Sequence, residues 1–160
     1  MRTSPKSAAP QSSRVVSVST RGGPFEGVSA AAVRRRAEKM LEHLGLEGVE
    51  LSVGLVNDAA IHELNRSFRH KDKPTDVLSF SLLEGELAPL QKGAPLPLGD
   101  IVISIETAAR QAEERSHSLS TEISTLVVHG TLHLMGYDHH TPTQRRKMFG
   151  LQDEVVGALP

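Results

Sequence analysis

The chain has 160 residues, a formal net charge of −1 and no cysteine. This length is typical of one domain that buries its own core, while the lack of cysteine excludes disulfide frameworks, thiolate metal sites and cysteine nucleophiles and favours a reducing compartment. The near-neutral charge means that binding of nucleic acid has to come from a local basic surface, and four phenylalanines and one tyrosine are too few for a platform of several stacked bases.

The N-terminal region is predicted to contain a tail followed by a strand. Residues 1–13 include Pro5, Pro10 and several serines but almost nothing to bury, which predicts a disordered tail. Residues 14–20 contain three valines in a pattern typical of a strand. We therefore expect residues 14–160 to form a single domain.

The next elements alternate between helix and strand. Residues 29–44 and 59–68 have the apolar spacing of helices, with Ser29 and Asn57 in position to cap them. Residues 50–56, which lie between the two helices, alternate apolar and polar side chains and predict a strand.

A charged loop separates these elements from two further strands. The loop covers residues 69–75, and the strand formers that follow it predict a strand over residues 76–82. Residues 84–98 carry three prolines and two glycines, which predict a lid-like loop. Residues 99–104 then predict another strand.

Three helices complete the predicted elements. Residues 106–115 are amphipathic, and residues 119–135 are unusually apolar, with Ser118 or Ser120 as the cap. Residues 141–159 form the last predicted helix. Interspersed strands and helices around one apolar helix predict an α+β fold, in which a small mixed β-sheet of about four strands packs around a central buried helix with several flanking helices.

Four of the eight histidines fall between His129 and His140. If this segment begins as a helix, His129 and His133 project from the same face with Cβ atoms about 5–6 Å apart, a spacing that suits two imidazoles on one metal ion. Continuing the helix cannot bring His139 to that face, so the chain has to turn back, and Gly136 is in position to allow the turn. His140 stays open as the alternative third ligand.

Three histidines without cysteine are the ligand set of a catalytic zinc site whose fourth position is left for water. We therefore expect one zinc ion, which would make that water a nucleophile near neutral pH. The competing interpretation is that these are core histidines satisfied by hydrogen bonds. Zinc peptidases of the His-Glu-x-x-His type place a glutamate after the first histidine, whereas this chain has Gly130 there, which disfavours peptide hydrolysis by that route.

Three blocks of the sequence resemble a known family. Residues 129–139, HGTLHLMGYDH, are similar to the signature of the YbeY family of metal-dependent endoribonucleases, which act in ribosomal RNA maturation. Residues 64–80, LNRSFRHKDKPTDVLSF, and residues 98–104, LGDIVIS, resemble two further blocks of that family. The resemblance covers about residues 49–154, and the tail before Val15 has no counterpart in it.

The resemblance implies roles for particular residues. It assigns the family's zinc ligands to His129, His133 and His139 and its functionally important arginine to Arg69. A guanidinium can hold a phosphate through two hydrogen bonds and stabilise charge that develops on its oxygens, so a catalytic role for this arginine is physically reasonable. The neighbouring basic residues either add phosphate affinity or form an ordinary charged loop; they are Arg66, His70, Lys71 and Lys73.

Several other polar residues are expected to lie outside the chemistry. Thr75 and Asp76 are expected to shape the turn into the following strand, and Asp138 either orients a histidine or helps the turn around it. Three histidines on predicted helices or their ends are expected to be bystanders: His43, His62 and His117.

The resemblance implies a cytoplasmic, zinc-dependent endoribonuclease for single-stranded RNA, acting in maturation of the 3′ end of 16S ribosomal RNA and in ribosome quality control. Expected partners are single-stranded and ribosomal RNA, with the small ribosomal subunit and its assembly factors as further candidates; no segment resembles a membrane span. Two alternatives stay open, a metal-dependent hydrolase of another substrate such as a peptide and a non-enzymatic ribosome-associated metal-binding protein. The attacking group is either activated water or the 2′-hydroxyl of the RNA.

Overall fold

The structure, a computed structural model, describes residues 14–82 and 94–160. The predicted disordered tail over residues 1–13 lies outside the described residues, as do residues 84–93 of the predicted lid-like loop. The predicted domain can therefore be followed from Arg14 to Pro160 with one gap.

Four strands and five helices are found in the described part of the chain. The strands are β1 (Arg14–Thr20), β2 (Val49–Val56), β3 (Val77–Ser81) and β4 (Leu96–Ser104). The helices are α1 (Ala30–His43), α2 (Asp58–Arg69), α3 (Ile105–Glu114), α4 (Leu119–Leu134) and α5 (Pro142–Gly157). Every predicted element is present, most of them within two residues of the predicted ends.

The strands form one sheet in the order β1-β2-β4-β3. β1 pairs with β2 and β2 with β4 in parallel, whereas β3 pairs with β4 in antiparallel. Parallel neighbours need crossover connections, which α1 provides between β1 and β2. The prediction of a mixed sheet of about four strands in an α+β fold is confirmed.

One prediction of an element boundary was wrong, because β4 begins at Leu96 and not at Gly99. Glu50 of β2 pairs with Pro97, and the next residue, Leu51, pairs with Gly99, so β4 contains an extra residue at this point. A bulge of this kind tolerates a proline and a glycine that a regular strand would not. Gly99 has a φ of +149°, and a Cβ there would meet the backbone oxygen of Phe80.

Helix caps fix where the helices begin. Ser29, Asn57 and Thr141 each accept a hydrogen bond from a backbone N–H in the first turn of α1, α2 and α5, as predicted. For α4 the structure selects Ser118 and not Ser120, because the Ser118 side chain accepts from the N–H of Thr121 at 3.0 Å.

The start of α2 is tied to the start of α3 through the carboxylate of Asp58. It accepts hydrogen bonds from Ser104 at 2.5 Å, from Thr107 at 2.7 Å and from Arg110 at 2.9 Å. Partial burial raises the pKa of Asp58, but these hydrogen bonds and the charge of Arg110 outweigh it, so that the pKa of Asp58 lies below its usual value. This network fixes the helix that ends in Arg69.

The central helix α4 is buried on most of its surface, as predicted. It contacts β3 and β4 on one side and α1, α3 and α5 on the others. Its first turn contains Glu122, which is fully buried and accepts hydrogen bonds from Arg115 at 2.8 Å and from the ring of His117 at 2.6 Å. His117, predicted to be a bystander, thus helps to fix the start of α4. No helix within the described residues has both the length and the apolar character needed to cross a membrane.

At Gly130, α4 approaches the sheet too closely to leave room for a side chain. A Cβ at this position would lie 2.9 Å from Oγ of Ser79 on β3 and 3.1 Å from Cγ2 of the fully buried Ile101 on β4. The Ser79 hydroxyl donates to the backbone oxygen of Gly130 at 3.3 Å. The missing side chain therefore lets the helix lie directly on the sheet.

Gly130→Ala is expected to destabilise the protein. Overpacking costs about 1–3 kcal/mol, which exceeds the roughly 1 kcal/mol gained when alanine replaces glycine in a helix. The matched control is Gly150→Ala in α5, where a Cβ would meet nothing within 4 Å, and this variant is expected to be more stable than wild type. Urea denaturation of wild type and of the two variants measures the free energy of unfolding of each protein. Equal stabilisation by both alanines would contradict the close packing of α4.

Candidate metal centre

Three histidines come together at the C-terminal end of α4. His129 and His133 lie one helical turn apart, and His139 reaches them from the loop between α4 and α5. One ring nitrogen from each lies within 4.8 Å of the others. The ring centroids of His129 and His133 are 4.7 Å apart, and those of His133 and His139 are 5.3 Å apart. We call this group the histidine triad.

The chain reverses direction at Gly136, as the sequence predicts. Gly136 has a φ of +101°, and the N–H of Tyr137 donates to the carbonyl of Leu132 at 2.9 Å, which closes the end of α4. Asp138 then accepts from the N–H of His139 at 2.8 Å and so holds the loop that returns to the helix. In this structure, the carboxylate of Asp138 therefore stabilises the loop that follows α4.

His140, the alternative third ligand, lies outside the triad. Its side chain is 79% exposed, and its Nε2 lies 3.0 Å from the carboxylate of Asp138. The structure therefore brings His139 to the other two histidines and leaves His140 in solvent.

Gln152 of α5 orients His129. Its side-chain oxygen lies 2.9 Å from Nδ1 of His129. An amide oxygen can only accept, so Nδ1 carries the proton and donates a hydrogen bond to this oxygen. The other ring nitrogen, Nε2, is then free to bind a metal. Sequence analysis missed this residue. A signal for it is present, because the polar side chain of Gln152 lies on the helix face that also buries Met148 and Val155.

The environment of His133 favours its neutral imidazole. Burial is the main cause that lowers the pKa of His133, and repulsion from His129 and His139 lowers the pKa further. Asp138 and the backbone of Tyr137 act in the opposite direction but do not reverse the shift. Because only a neutral imidazole has a lone pair to donate, protons compete with a metal for His133 only at a lower pH than for an ordinary histidine.

The triad faces a cleft of about 750 Å3 that runs across the edge of the sheet. The cleft is lined by Asn65, Arg69, Lys71, Lys73, residues 75–81, His129, His133 and Leu134. Arg69, predicted from a segment about sixty residues before the triad, thus shares one cavity with two of the three histidines. Within the part of the chain that the structure describes, Asp76 is the only acidic residue that lines the cleft.

The guanidinium of Arg69 is fixed against β3. Its Nη2 donates to the backbone oxygen of Ser79 at 2.5 Å, and its Cζ lies 5.5 Å from the ring centroid of Phe80. A guanidinium has five N–H donors, so most of them stay available for a ligand. Arg69 is therefore held at a defined position in the cleft without losing its capacity to bind an anion.

The other charged residues near the cleft divide into paired and unpaired groups. Arg66 donates to Glu63 at 2.5 Å, and the ring of His62 lies 2.7 Å from the carboxylate of Asp72. Lys71 and Lys73 have no ion-pair partner among the described residues. Arg66 is therefore less available to bind a phosphate than the two lysines, whose positive charges are unpaired in the described part of the chain.

The comparison with known proteins agrees with the sequence blocks. A family model described as Endoribonuclease YbeY matches residues 25–160. The chain belongs to this family. An Endoribonuclease YbeY from Picosynechococcus sp. is 60% identical over 111 residues, which are 69% of this chain and 67% of the relative. Another from Symbiobacterium thermophilum is 48% identical over 131 residues, which are 79% of this chain and 84% of the relative.

A solved structure supports the same assignment. The solution structure of a protein from Thermotoga maritima matches with a TM-score of 0.58 and 30% sequence identity. The match covers 87% of this chain and 86% of that protein. Membership of the YbeY family, predicted from the three sequence blocks, is confirmed by these comparisons, and members of this family are endoribonucleases.

Gln152→Ala is expected to weaken metal binding by the triad about 10- to 100-fold, with zinc as the probe, because His129 loses the hydrogen bond that fixes its orientation. Gln152→Glu keeps an acceptor for Nδ1 and should bind zinc more tightly than the alanine variant. Zinc titration against a competing chelator measures the affinities. The control is Gln111→Ala, since the side-chain oxygen of Gln111 is buried without a hydrogen-bond partner in the described structure. An alanine variant at position 152 with wild-type affinity would contradict the role of Gln152.

Proposed function

We propose that this protein is a zinc-dependent endoribonuclease that cuts single-stranded RNA. The observation that carries the proposal is the shared cleft, in which His129 and His133 lie in one cavity with Arg69. We further propose that it acts in the cytoplasm in ribosomal RNA maturation, at the 3′ end of 16S ribosomal RNA, and in ribosome quality control. Support for this biological role comes from membership of the YbeY family.

The histidine triad is suited to zinc. All three donors are imidazoles, no cysteine exists in the chain, and zinc accepts three histidines with a fourth position open. The donor atoms lie within 4.8 Å of one another, and small rotations of the rings would bring them to the spacing around an ion with Zn–N distances of about 2.0–2.1 Å. When bound, zinc would supply Lewis acidity toward the phosphodiester and activation of water.

Arg69 is the residue proposed to hold the scissile phosphate. Its guanidinium is exposed, fixed by Ser79 and Phe80, and equipped with free donors that match phosphate oxygens. Lys71 and Lys73, which line the same cleft, add phosphate affinity without sequence preference. These three cations therefore bind the RNA backbone and stabilise negative charge that develops on the phosphate during cleavage.

Asp76 is the candidate general base. Sequence reasoning assigned it to the turn before β3, and its backbone oxygen does accept from the N–H of Ser104 at 3.0 Å. Asp76 is, however, the only acidic residue among the described residues that line the cleft. A carboxylate in this place can take a proton from the attacking water or from a 2′-hydroxyl of the RNA.

Peptide hydrolysis is the weaker alternative. Gly130 occupies the position of the peptidase glutamate and is in contact with the sheet, so no base is available beside His129. The nearest preceding carboxylate on α4 belongs to Glu122, which is buried against Arg115 and His117. Casein-type substrates are therefore expected to be left intact under conditions in which single-stranded RNA is cut.

Arg69→Ala is expected to retain one zinc and to lose RNA cleavage by about 10²–10³-fold, the effect of removing one donor that stabilises charge in the transition state. Arg66→Ala is the matched control, because Arg66 is an exposed arginine of the same helix whose charge is paired with Glu63. Metal analysis and cleavage of a single-stranded RNA are measured on the same preparations. Loss of zinc in the Arg69 variant would assign Arg69 to the structure of the site instead of its chemistry.

His129→Ala distinguishes a catalytic metal from a structural one in the same assays. A catalytic site predicts a folded variant that lacks zinc and activity, whereas a structural site predicts an unfolded protein.

Asp76→Asn is expected to lower the cleavage rate by about 10²–10⁴-fold and to leave zinc content and RNA affinity near those of wild type, since only proton transfer is lost. Asp72→Asn, an exposed aspartate of the same loop that pairs with His62, serves as the control. Single-turnover cleavage rates over a range of pH give the comparison. If the Asp76 variant cleaves at the wild-type rate, another group takes the proton.

A further inference from the structure

Phe68 is the most exposed large apolar side chain among the described residues. It is 64% exposed, compared with 42% for Leu82 and 37% for Leu96. An isolated apolar residue at the surface needs no explanation by itself. None of the three is among the residues that line the cleft, but Phe68 packs against Phe80, which does line it.

The ring of Phe68 is held in place although most of it contacts solvent. It packs edge-to-face with Phe80, with ring centroids 5.6 Å apart and an angle of 73° between the planes. Phe80 is itself in contact with the guanidinium of Arg69. The exposed ring is therefore part of a fixed group of three side chains and loses little conformational freedom on binding a ligand.

This group connects Phe68 to the proposed phosphate-binding residues. Phe80 and Arg69 both line the cleft, and Phe68 precedes Arg69 in the last turn of α2. Lys71 and Lys73, which line the same cleft, add positive charge without an ion-pair partner among the described residues. An exposed aromatic ring near several cations provides the two features that bind single-stranded nucleic acid. The ring is a surface on which a base can stack, and the positive charges bind the phosphate backbone.

We propose that Phe68 stacks on one unpaired nucleobase of the RNA next to the phosphate held by Arg69. This inference rests on the proposed function, because it assumes that the cleft binds RNA. A base within a duplex has both faces covered by its neighbours and cannot stack on Phe68 without leaving the helix. A single stacking residue thus gives a physical basis for preference for single strands without preference for sequence, since every base has a π-face.

The occupant is an RNA base and not an apolar segment of a protein because of the charges around it. Among the described residues that line the cleft, the charged side chains without an ion-pair partner are Arg69, the two lysines and Asp76, so positive charge predominates. A polyanion with planar apolar bases complements this surface. A protein partner would have to leave these cations unpaired or supply several carboxylates.

The test measures the affinity of the zinc-loaded protein for a short single-stranded RNA and its kcat and KM for cleavage. Phe68→Ala and Phe68→Leu are expected to weaken binding and raise KM by about 5- to 150-fold, the range that corresponds to one base–aromatic stack. Phe68→Trp is expected to keep the affinity. The leucine variant preserves apolar contact with Phe80, so a loss in that variant reports the aromatic face and not packing. Leu96→Ala, which removes an exposed apolar residue outside the cleft, is the control.

A second set of substrates locates the stacked base. A single abasic site is moved along the RNA, and at one position it should weaken binding to wild type by the same factor as Phe68→Ala. In the alanine variant the same abasic site should cost nothing further, because base and ring form one interaction. Affinity for a fully paired RNA should be equal in wild type and variant.

Two outcomes would overturn the proposal in distinguishable ways. Wild-type cleavage of single-stranded RNA together with unchanged binding by Phe68→Ala would reject the stacking role alone and leave Phe68 as a contact for a protein. Absence of both RNA binding and cleavage in zinc-loaded wild type would reject the proposed function and the stacking role together. The control is the thermal unfolding temperature of each variant. If it equals that of wild type, an observed loss of affinity does not come from unfolding.

Discussion

The site depends on how closely α4 approaches the sheet. At Gly130 the helix backbone lies against Ile101 of β4 and Ser79 of β3, with no room for a side chain. His129 and His133 flank this contact on the same helix, so their positions relative to the edge of the sheet follow from it. The same contact makes β3 one wall of the cleft. Arg69 reaches that wall from α2 and donates to its backbone, which brings two distant segments of sequence to one cavity.

Ion pairing divides the charged side chains around this cavity into two groups. The loop after α2 and the last turn of the helix are rich in basic residues. The sequence analysis did not distinguish which of the residues beside Arg69 can bind an anion. In the structure the charge of Arg66 is paired with Glu63, whereas Lys71 and Lys73 have no ion-pair partner in the described part of the chain. Exposed pairs of this kind contribute little to stability, but they decide which cations can bind an anionic ligand. The positive surface is therefore narrower than the sequence indicates and is centred on Arg69.

Most of the fold is predictable because its signals are local. Caps such as Asn57 act on residues within one turn, and the glycine stop at Gly136 with histidines four residues apart specifies the triad within eleven residues. Features that depend on a partner elsewhere in the chain are not predictable in this way. Pro97 is compatible with a strand only because β2 meets a bulge there. Gln152 has a function only because α5 packs against the side of α4 that carries His129.

The hydrogen bond from Arg69 to the carbonyl of Ser79 also has a consequence for the outer edge of the sheet. In the described residues β3 is an outer strand of the sheet, and outer strands offer unpaired backbone groups that can recruit a strand from another molecule. A positively charged side chain laid across the middle of this five-residue strand occupies one of those groups and repels a second copy of the same basic edge. One side chain thus makes the outer edge of the sheet less accessible to another β-strand.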